Sequence, residues 1–174
     1  SERAPSSQHL HQHASAGVAF GRVTHCLMQI LTVDIGTGTQ DIFLYDSNLD
    51  IENGFKLVLP SPTMMIHRRL KQVLHLRTPI LLTGHQMGGG PSAWAIEEYA
   101  RAGTPVYMTP SAATTLNDEL DKVEALGIKI IGEDEVQGLQ VAGSKVERLE
   151  LRDFDFDLIS KTFNDYGVSL KDLG

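Results

Sequence analysis

The sequence predicts an α/β fold in which one mixed β-sheet carries helices on both faces. Residues 28–60 contain three short apolar runs separated by turn residues, which is typical of strands. From residue 61 onward, apolar runs alternate with amphipathic segments, which is typical of parallel strands joined by helices. The 174 residues are 41% hydrophobic and 21% charged, ordinary values that exclude a disordered or collagen-like chain and favour a single domain.

The charge balance excludes some classes of partner. Fifteen Lys and Arg against 22 Asp and Glu leave a net charge of −7, which argues against binding to nucleic acid or to an anionic membrane surface. No apolar run approaches the roughly 20 residues of a membrane helix. The single cysteine, Cys26, excludes an internal disulfide and an iron–sulfur cluster held by several of these residues. We therefore expect a cytoplasmic protein.

Residues 1–27 differ from the remainder. They include four of the seven histidines (His9, His11, His13 and His25) and show no periodicity of strand or helix. We predict a disordered arm or a non-native extension here, followed by one domain over 28–174. The alternating histidines of HLHQH are compatible with a weak metal site or with a stretch of no function.

The first three strands form a predicted antiparallel meander. MQILTVDI (28–35), QDIFLYD (40–46) and FKLVLP (55–60) are apolar runs separated by GTGT and SNLDIENG. Their short turn-rich connections favour antiparallel pairing of neighbours.

Three helices and further strands then alternate. Ser61-Pro62 opens a helix whose apolar stripe is Ile66, Leu70, Val73 and Leu74. The strand PILLTG (79–84) leads to a helix opened by Pro91, and the strand VYMT (106–109) leads to a helix opened by Thr109-Pro110. This third helix is expected to present Ala112, Leu116, Leu120 and Val123. IKII (128–131) is a strand; VERLEL and FDLISKTFNDYG are a less regular strand and helix.

This β-β-β-α-β-α-β-α-β order predicts the ribonuclease-H-like fold with sheet order 3-2-1-4-5. In that order strands 1 and 4 are neighbours whose connections leave to opposite sides. Open α/β sheets bind ligands at such a switch point, at the carboxyl ends of the strands.

The first glycine-rich turn is a candidate phosphate cradle. Gly36, Thr37, Gly38 and Thr39 offer backbone N–H groups and hydroxyls, and Gln40 continues the same segment. Asp34 stands before them at a strand end, as a carboxylate ligand of Mg²⁺ or of its water. A tight hairpin that merely needs glycine explains the same residues.

The second glycine-rich turn joins the fourth strand to a helix. Gly84, Gly88, Gly89 and Gly90 would present N–H groups and the positive end of the helix dipole to an anion. His85 and Gln86 are candidate catalytic residues that would orient a water. A flexible loop in which Gly90 caps the helix remains an alternative, because no GK[ST] follows.

Two resemblances add to these observations. Asp34-x-Gly-Thr-Gly-Thr resembles the first phosphate motif of the actin-like ATPases. Over roughly 28–165 the chain resembles the family of domain of unknown function 1786, through VDIGTGTQDIFLYD, TGHQMGGGP and TPSAATTLNDELDKVEALGI. Members of that family are often labelled as pyruvate formate-lyase activating enzymes, radical enzymes that need three closely spaced cysteines, which a chain with one cysteine does not offer.

The actin-like resemblance implies an ATP- and Mg²⁺-binding lobe. It assigns metal-water binding to Asp34 and the phosphate cradle to Gly36, Thr37, Gly38 and Thr39. Actin-like ATPases close two lobes over the nucleotide, so 28–174 is expected to be one lobe, truncated relative to full-length members, with a missing second lobe or another copy as partner. The expected ligand is a nucleotide or small phosphorylated molecule. The alternatives are an inert interaction domain and, third, a metal-dependent nuclease that needs several converging carboxylates.

Overall fold

A computed structural model describes residues 28–139, 145–170 and 173 of the chain. The predicted arm, residues 1–27 with Cys26 and its four histidines, lies outside the described residues. Among the helices of the described part, none is long and apolar enough to cross a membrane.

The predicted meander is confirmed. Strands β1 (Gln29–Ile35), β2 (Thr39–Asp46) and β3 (Phe55–Pro60) form an antiparallel three-stranded sheet in the order β1-β2-β3. A 3-10 turn at Ile51–Asn53 interrupts the connection between β2 and β3. Alternate residues are buried in β2 and half-buried in β1 and β3, so one face packs and the other meets solvent.

A second sheet is parallel throughout. It consists of β4 (Ile80–Gly84), β5 (Val106–Met108), β6 (Lys129–Ile130) and β7 (Glu147–Leu151), in the order β6-β5-β4-β7. The chain builds outward from β4 to β6 and then returns to place β7 on the other side of β4. The boundary between β4 and β7 is therefore the point at which the strand order reverses.

Three of the five described helices begin at a residue whose side chain caps them. Helix α1 is Pro62–Leu74, α2 is Gly90–Arg101, α3 is Pro110–Ala113, α4 is Leu120–Glu124 and α5 is Phe156–Asp165. The side chains of Ser61, Thr109 and Asp155 accept hydrogen bonds from the N–H groups of Met64, Ala112 and Leu158. Each satisfies one of the N–H groups that a helix start leaves unpaired.

The prediction of a single sheet with strand order 3-2-1-4-5 is wrong, because the strands form two sheets and β1 does not pair with β4. β7, and not β1, pairs with β4, through the register Ile80↔Glu147 to Gly84↔Leu151. β1 alternates half-buried and exposed residues, as β7 also does, whereas Ile80, Leu81 and Leu82 of the central strand β4 are all fully buried. The one-sided meander is covered by α5 instead, because Ile159 and Phe163 pack against its apolar face.

The predicted third helix is also wrong in its extent. The segment divides into α3 and α4, since residues 114–119 leave the helical path. The side chain of Asn117 accepts a hydrogen bond from the N–H of Glu119 at 2.9 Å. A short polar side chain that bonds to the backbone in this way competes with helix formation.

Two apolar clusters result from this layering. The larger cluster contains residues of all four helices from α1 through α4 and of strands β4, β5 and β7, among them Leu70, Ile96 and Val123. The smaller joins the meander with α5. Tyr99 is fully buried in the larger cluster, as a packing residue, and donates to the carbonyl oxygen of Thr78 at 2.5 Å. Its burial raises the pKa of the phenol above the usual 10.0.

Candidate functional site

A cleft of about 230 Å³, here called the glycine cleft, lies at the carboxyl ends of β4 and β7. Four parts of the chain line it, and both glycine-rich turns are among them. The β1–β2 turn contributes Ile35, Gly36 and Thr37; the loop after β4 contributes Gln86, Met87 and Gly88; and the start of α1 and the end of β7 contribute Pro62, Thr63 and Asp153. The predicted strand order would bring Asp34 and Gly88–Gly90 together in one pocket; the two turns do meet here, but of those residues only Gly88 lines the cleft, and β7 replaces β1 beside β4.

The first turn of α1 holds both glycine-rich turns in place. Ser61 donates through Oγ to the carbonyl oxygen of Thr37 at 2.8 Å and through its N–H to that of Gly38 at 3.2 Å. Thr63, two residues later, donates through Oγ1 to the carbonyl oxygen of Gly89 at 2.8 Å. One helix start thus fixes the distance between turns that are about fifty residues apart in the sequence.

Gln86 is the centre of a buried hydrogen-bond network beneath the cleft. Its side chain is 3% exposed, and its Nε2 donates to the carbonyl oxygen of Arg152 at 2.9 Å. Its Oε1 accepts from the hydroxyl of Ser92 at 2.9 Å, and its N–H donates to Thr115 Oγ1 at 3.0 Å. Because both ends of the amide are already paired, Gln86 positions the loop and β7 rather than presenting a free group for catalysis.

His85, the other candidate catalytic residue, does not line the glycine cleft. Its Nδ1 lies 3.1 Å from Thr114 Oγ1, on the side of α3. The Thr114 hydroxyl donates to the carbonyl oxygen of Ser111 at 2.7 Å, so Nδ1 of His85 is assigned as the donor to Thr114. The histidine side chain is therefore engaged away from the place where the two glycine-rich turns meet.

Asp153 is the carboxylate that faces the glycine cleft, and Asp34 is not. Asp153 lines the cleft, and its Oδ1 accepts from the N–H of Met87 at 2.8 Å. Asp34 lies on the exposed face of the meander, opposite Asp41 in the register. Within the described residues, no group of three or more His, Cys, Asp and Glu side chains could together hold a metal ion. The several converging carboxylates that a nuclease centre would need are thus not found in this part of the chain.

The candidate glycines have different structural roles. Gly84 has φ of +74°, and a Cβ on it would lie 2.2 Å from the carbonyl oxygen of Leu151, so this glycine lets β4 approach β7. Gly88 has φ of +62° with open space around it, whereas a Cβ on Gly89 would lie 2.6 Å from that of Ala93. A Cβ on Gly90 would lie 3.8 Å from Thr37 Cγ2, which places the start of α2 beside the first turn.

The remaining candidates of the first turn divide between the turn and the sheet. The N–H of Gly36 donates to the carbonyl oxygen of Thr39 at 2.9 Å, which closes the turn. Gln40 is 3% exposed, and its Nε2 donates to the carbonyl oxygen of Pro60 at 3.0 Å. Gly38, Thr39 and Gln40 do not line the glycine cleft.

Sequence reasoning missed three residues of the site. Thr63 and Ser92 carry no sequence prediction; both have a hydroxyl in the first turn of a helix, but only α2, the helix of Ser92, follows a candidate turn. In the sequence, Asp153 belongs to the alternating run RDFDFD, which indicates a strand edge or a helix entry and only as the minor option a metal site. The available signal was its position directly after a strand, which becomes meaningful only once β7 is known to lie beside β4.

Fold and cleft define an α/β protein with a parallel sheet and a glycine-lined cleft at its switch point. A family model described as "Putative pyruvate format-lyase activating enzyme (DUF1786)" matches residues 87–173, half of the 174 residues. The chain belongs to this family, as the sequence blocks predict. No curated protein and no solved structure matches the chain significantly.

Proposed function

We propose that the chain binds the phosphate group of a small phosphorylated ligand, such as a nucleotide, together with Mg²⁺ in the glycine cleft. The observation that carries this proposal is the meeting of both glycine-rich turns in one cleft at the switch point. Ligands of open α/β sheets are expected at that edge, and glycines allow a ligand to approach the backbone closely.

The backbone supports anion binding. Thr37 and Gly88 line the cleft, and their N–H groups donate to no acceptor within the described part of the chain. Helix α2, twelve residues long, begins at Gly90 directly beside the Thr37 side chain. Unpaired N–H groups and the positive end of a helix dipole both favour a phosphate.

The charge of the cleft supports a divalent cation as the second component. Asp153 is the charged residue in the lining and would repel a phosphate that entered alone. Mg²⁺ binds one or two carboxylates together with phosphate oxygens and water. A bound Mg²⁺ would therefore offset the repulsion between Asp153 and the phosphate. Oδ1 of Asp153 is held by the N–H of Met87, and Oδ2 would be the oxygen offered to the metal.

The proposal is one of binding, with no hydrolytic step assigned. His85 is engaged with Thr114, and both ends of the Gln86 amide are paired, so neither presents a free group to a water in the cleft. Kinship with the actin-like ATPases remains a hypothesis that rests on Asp34-x-Gly-Thr-Gly-Thr. The radical chemistry in the family's description is not part of the proposal, because these residues carry one cysteine.

Paired aspartate variants test the role of Mg²⁺. In a thermal-shift titration with ATP, Mg²⁺ should raise Tm beyond the value reached with EDTA. Saturation at 100 times Kd corresponds to about 2.7 kcal/mol, or roughly 5–10 °C for a chain of this length. Asp153→Asn should abolish the magnesium-dependent part of the Tm increase, because the amide still accepts a hydrogen bond from Met87 but no longer attracts a cation.

Asp34→Asn is the matched control for that titration. The same chemical change on the exposed face of the meander should leave the magnesium-dependent shift unchanged. A shift lost in Asp34→Asn and kept in Asp153→Asn would contradict the assignment to Asp153 and restore Asp34 as the metal-binding carboxylate. An inert interaction domain would instead show concentration-dependent dimerisation without any ligand shift.

A further inference from the structure

A second cleft of about 270 Å³, here called the side cleft, adjoins the glycine cleft and shares Pro62 and Gln86 with it. Its walls are largely apolar. Met65 and Ile66 of α1 form one wall, and Leu149 of β7 with Leu158 of α5 forms another. The side cleft therefore lies where the parallel sheet, the meander and α5 meet.

One buried polar atom in this wall lacks a partner. Gln40 lines the side cleft and is 3% exposed. Its Nε2 donates to the carbonyl oxygen of Pro60, which orients the amide and leaves Oε1 as an acceptor with no hydrogen-bond partner among the described residues. A buried acceptor left unpaired costs about 1–3 kcal/mol, so a ligand donor that reaches this oxygen after a small movement of the side chains covering it would recover free energy.

The charged residues at the rim are already paired with protein groups. Arg148 donates to the carbonyl oxygens of Val136 and Leu139. Arg152 contacts the carboxylates of Glu150 and Asp155. A charged ligand group would have to displace these partners, so the cleft favours an uncharged group.

We propose that the side cleft binds an uncharged aromatic heterocycle that carries an N–H donor, with the donor directed to Gln40 Oε1. Met65 and the branched side chains opposite it would pack on the two faces of the ring. Each cleft alone is smaller than the roughly 300 Å³ at which small-molecule sites begin, whereas the two together exceed it. The inference rests on the proposed function in one respect: the ring would belong to the ligand whose phosphate occupies the glycine cleft, which favours a nucleotide over a sugar phosphate.

Two half-ligands test the clefts separately. Adenosine carries the ring with its amino donor and no phosphate, and magnesium tripolyphosphate carries the phosphates and no ring. Adenosine binding, followed by NMR chemical shifts, should weaken at least tenfold in Leu158→Trp, because the indole fills the cleft. Leu76→Trp, the same change at a residue that is 63% exposed and outside both clefts, should bind adenosine like the unmodified chain.

The donor is tested by removing either partner. Purine riboside, which lacks the amino group, should bind about two- to tenfold more weakly than adenosine. Gln40→Met should remove that preference. Equal binding of adenosine to the unmodified chain and to Leu158→Trp, or no adenosine binding at millimolar concentration, would overturn the inference. Failure of tripolyphosphate to bind while adenosine still binds would overturn the phosphate proposal alone.

Discussion

The hydroxyl of Ser92 helps to position the carboxylate that lines the glycine cleft. Its side chain is fully buried, and it is the donor to Gln86 Oε1 beneath the glycine cleft. Gln86 in turn holds the carbonyl oxygen of Arg152, the residue before Asp153. The carboxylate in the cleft is therefore positioned by a chain of buried hydrogen bonds that begins in the first turn of α2.

Ser92→Ala is expected to destabilise the fold by about 1–3 kcal/mol, because the Gln86 carbonyl would lose its donor while still buried. Urea unfolding measures the difference. Ser111→Ala, an exposed serine in α3, is the matched control and should stay within about 0.5 kcal/mol of the unmodified chain. Equal stability of both variants would show that the network contributes little.

At the scale of elements, the contact between β4 and β7 decides where the cleft forms. Gly84 ends β4 opposite Leu151, and the N–H of the next residue, His85, donates to the Leu151 carbonyl oxygen at 3.0 Å. No side chain fits there, since a Cβ would lie 2.2 Å from that oxygen. Gly84 therefore contributes to the cleft by allowing strand pairing, not by contacting a ligand.

A pair of glycine variants isolates this contact. Gly84 and Gly103 both have φ of +74°, but a Cβ on Gly103 has no neighbour within 4 Å. Gly103→Ala should cost only the backbone strain, about 1–2 kcal/mol. Gly84→Ala should lower the free energy of unfolding by at least about 3 kcal/mol, because the steric clash is added to the backbone strain. Similar unfolding free energies for the two variants would contradict the close approach.

At the scale of the whole molecule, local features were predictable and the pairing of distant strands was not. Ser61, Thr109 and Asp155 cap helices through bonds to residues three positions away, and such short-range chemistry is readable in a sequence. The choice between β1 and β7 as the neighbour of β4 depends on which apolar face α5 covers, and both strands alternate in the same way.

The candidate site followed the same division. Each glycine-rich turn was recognisable separately, but their meeting was predicted from a pairing of β1 with β4 that the structure does not contain, and the start of α1 joins them instead. That Asp153, and not Asp34, is the carboxylate in the cleft was not predictable. Successive residues of a strand point to opposite faces, so Asp34 points away from the cleft that the next residue, Ile35, lines. The engagement of His85 with Thr114 likewise depends on the early end of α3.

The central claim, that the glycine cleft binds phosphate, is tested most directly by calorimetric titration of Thr37→Glu and Thr39→Glu with magnesium ATP. Both threonines are exposed in the same turn region, but only Thr37 lines the cleft. A carboxylate at 37 should weaken binding at least tenfold, about 1.4 kcal/mol, while the same change at 39 should alter it less than threefold. Binding that is absent from the unmodified chain, or equal in all three proteins, would contradict the claim.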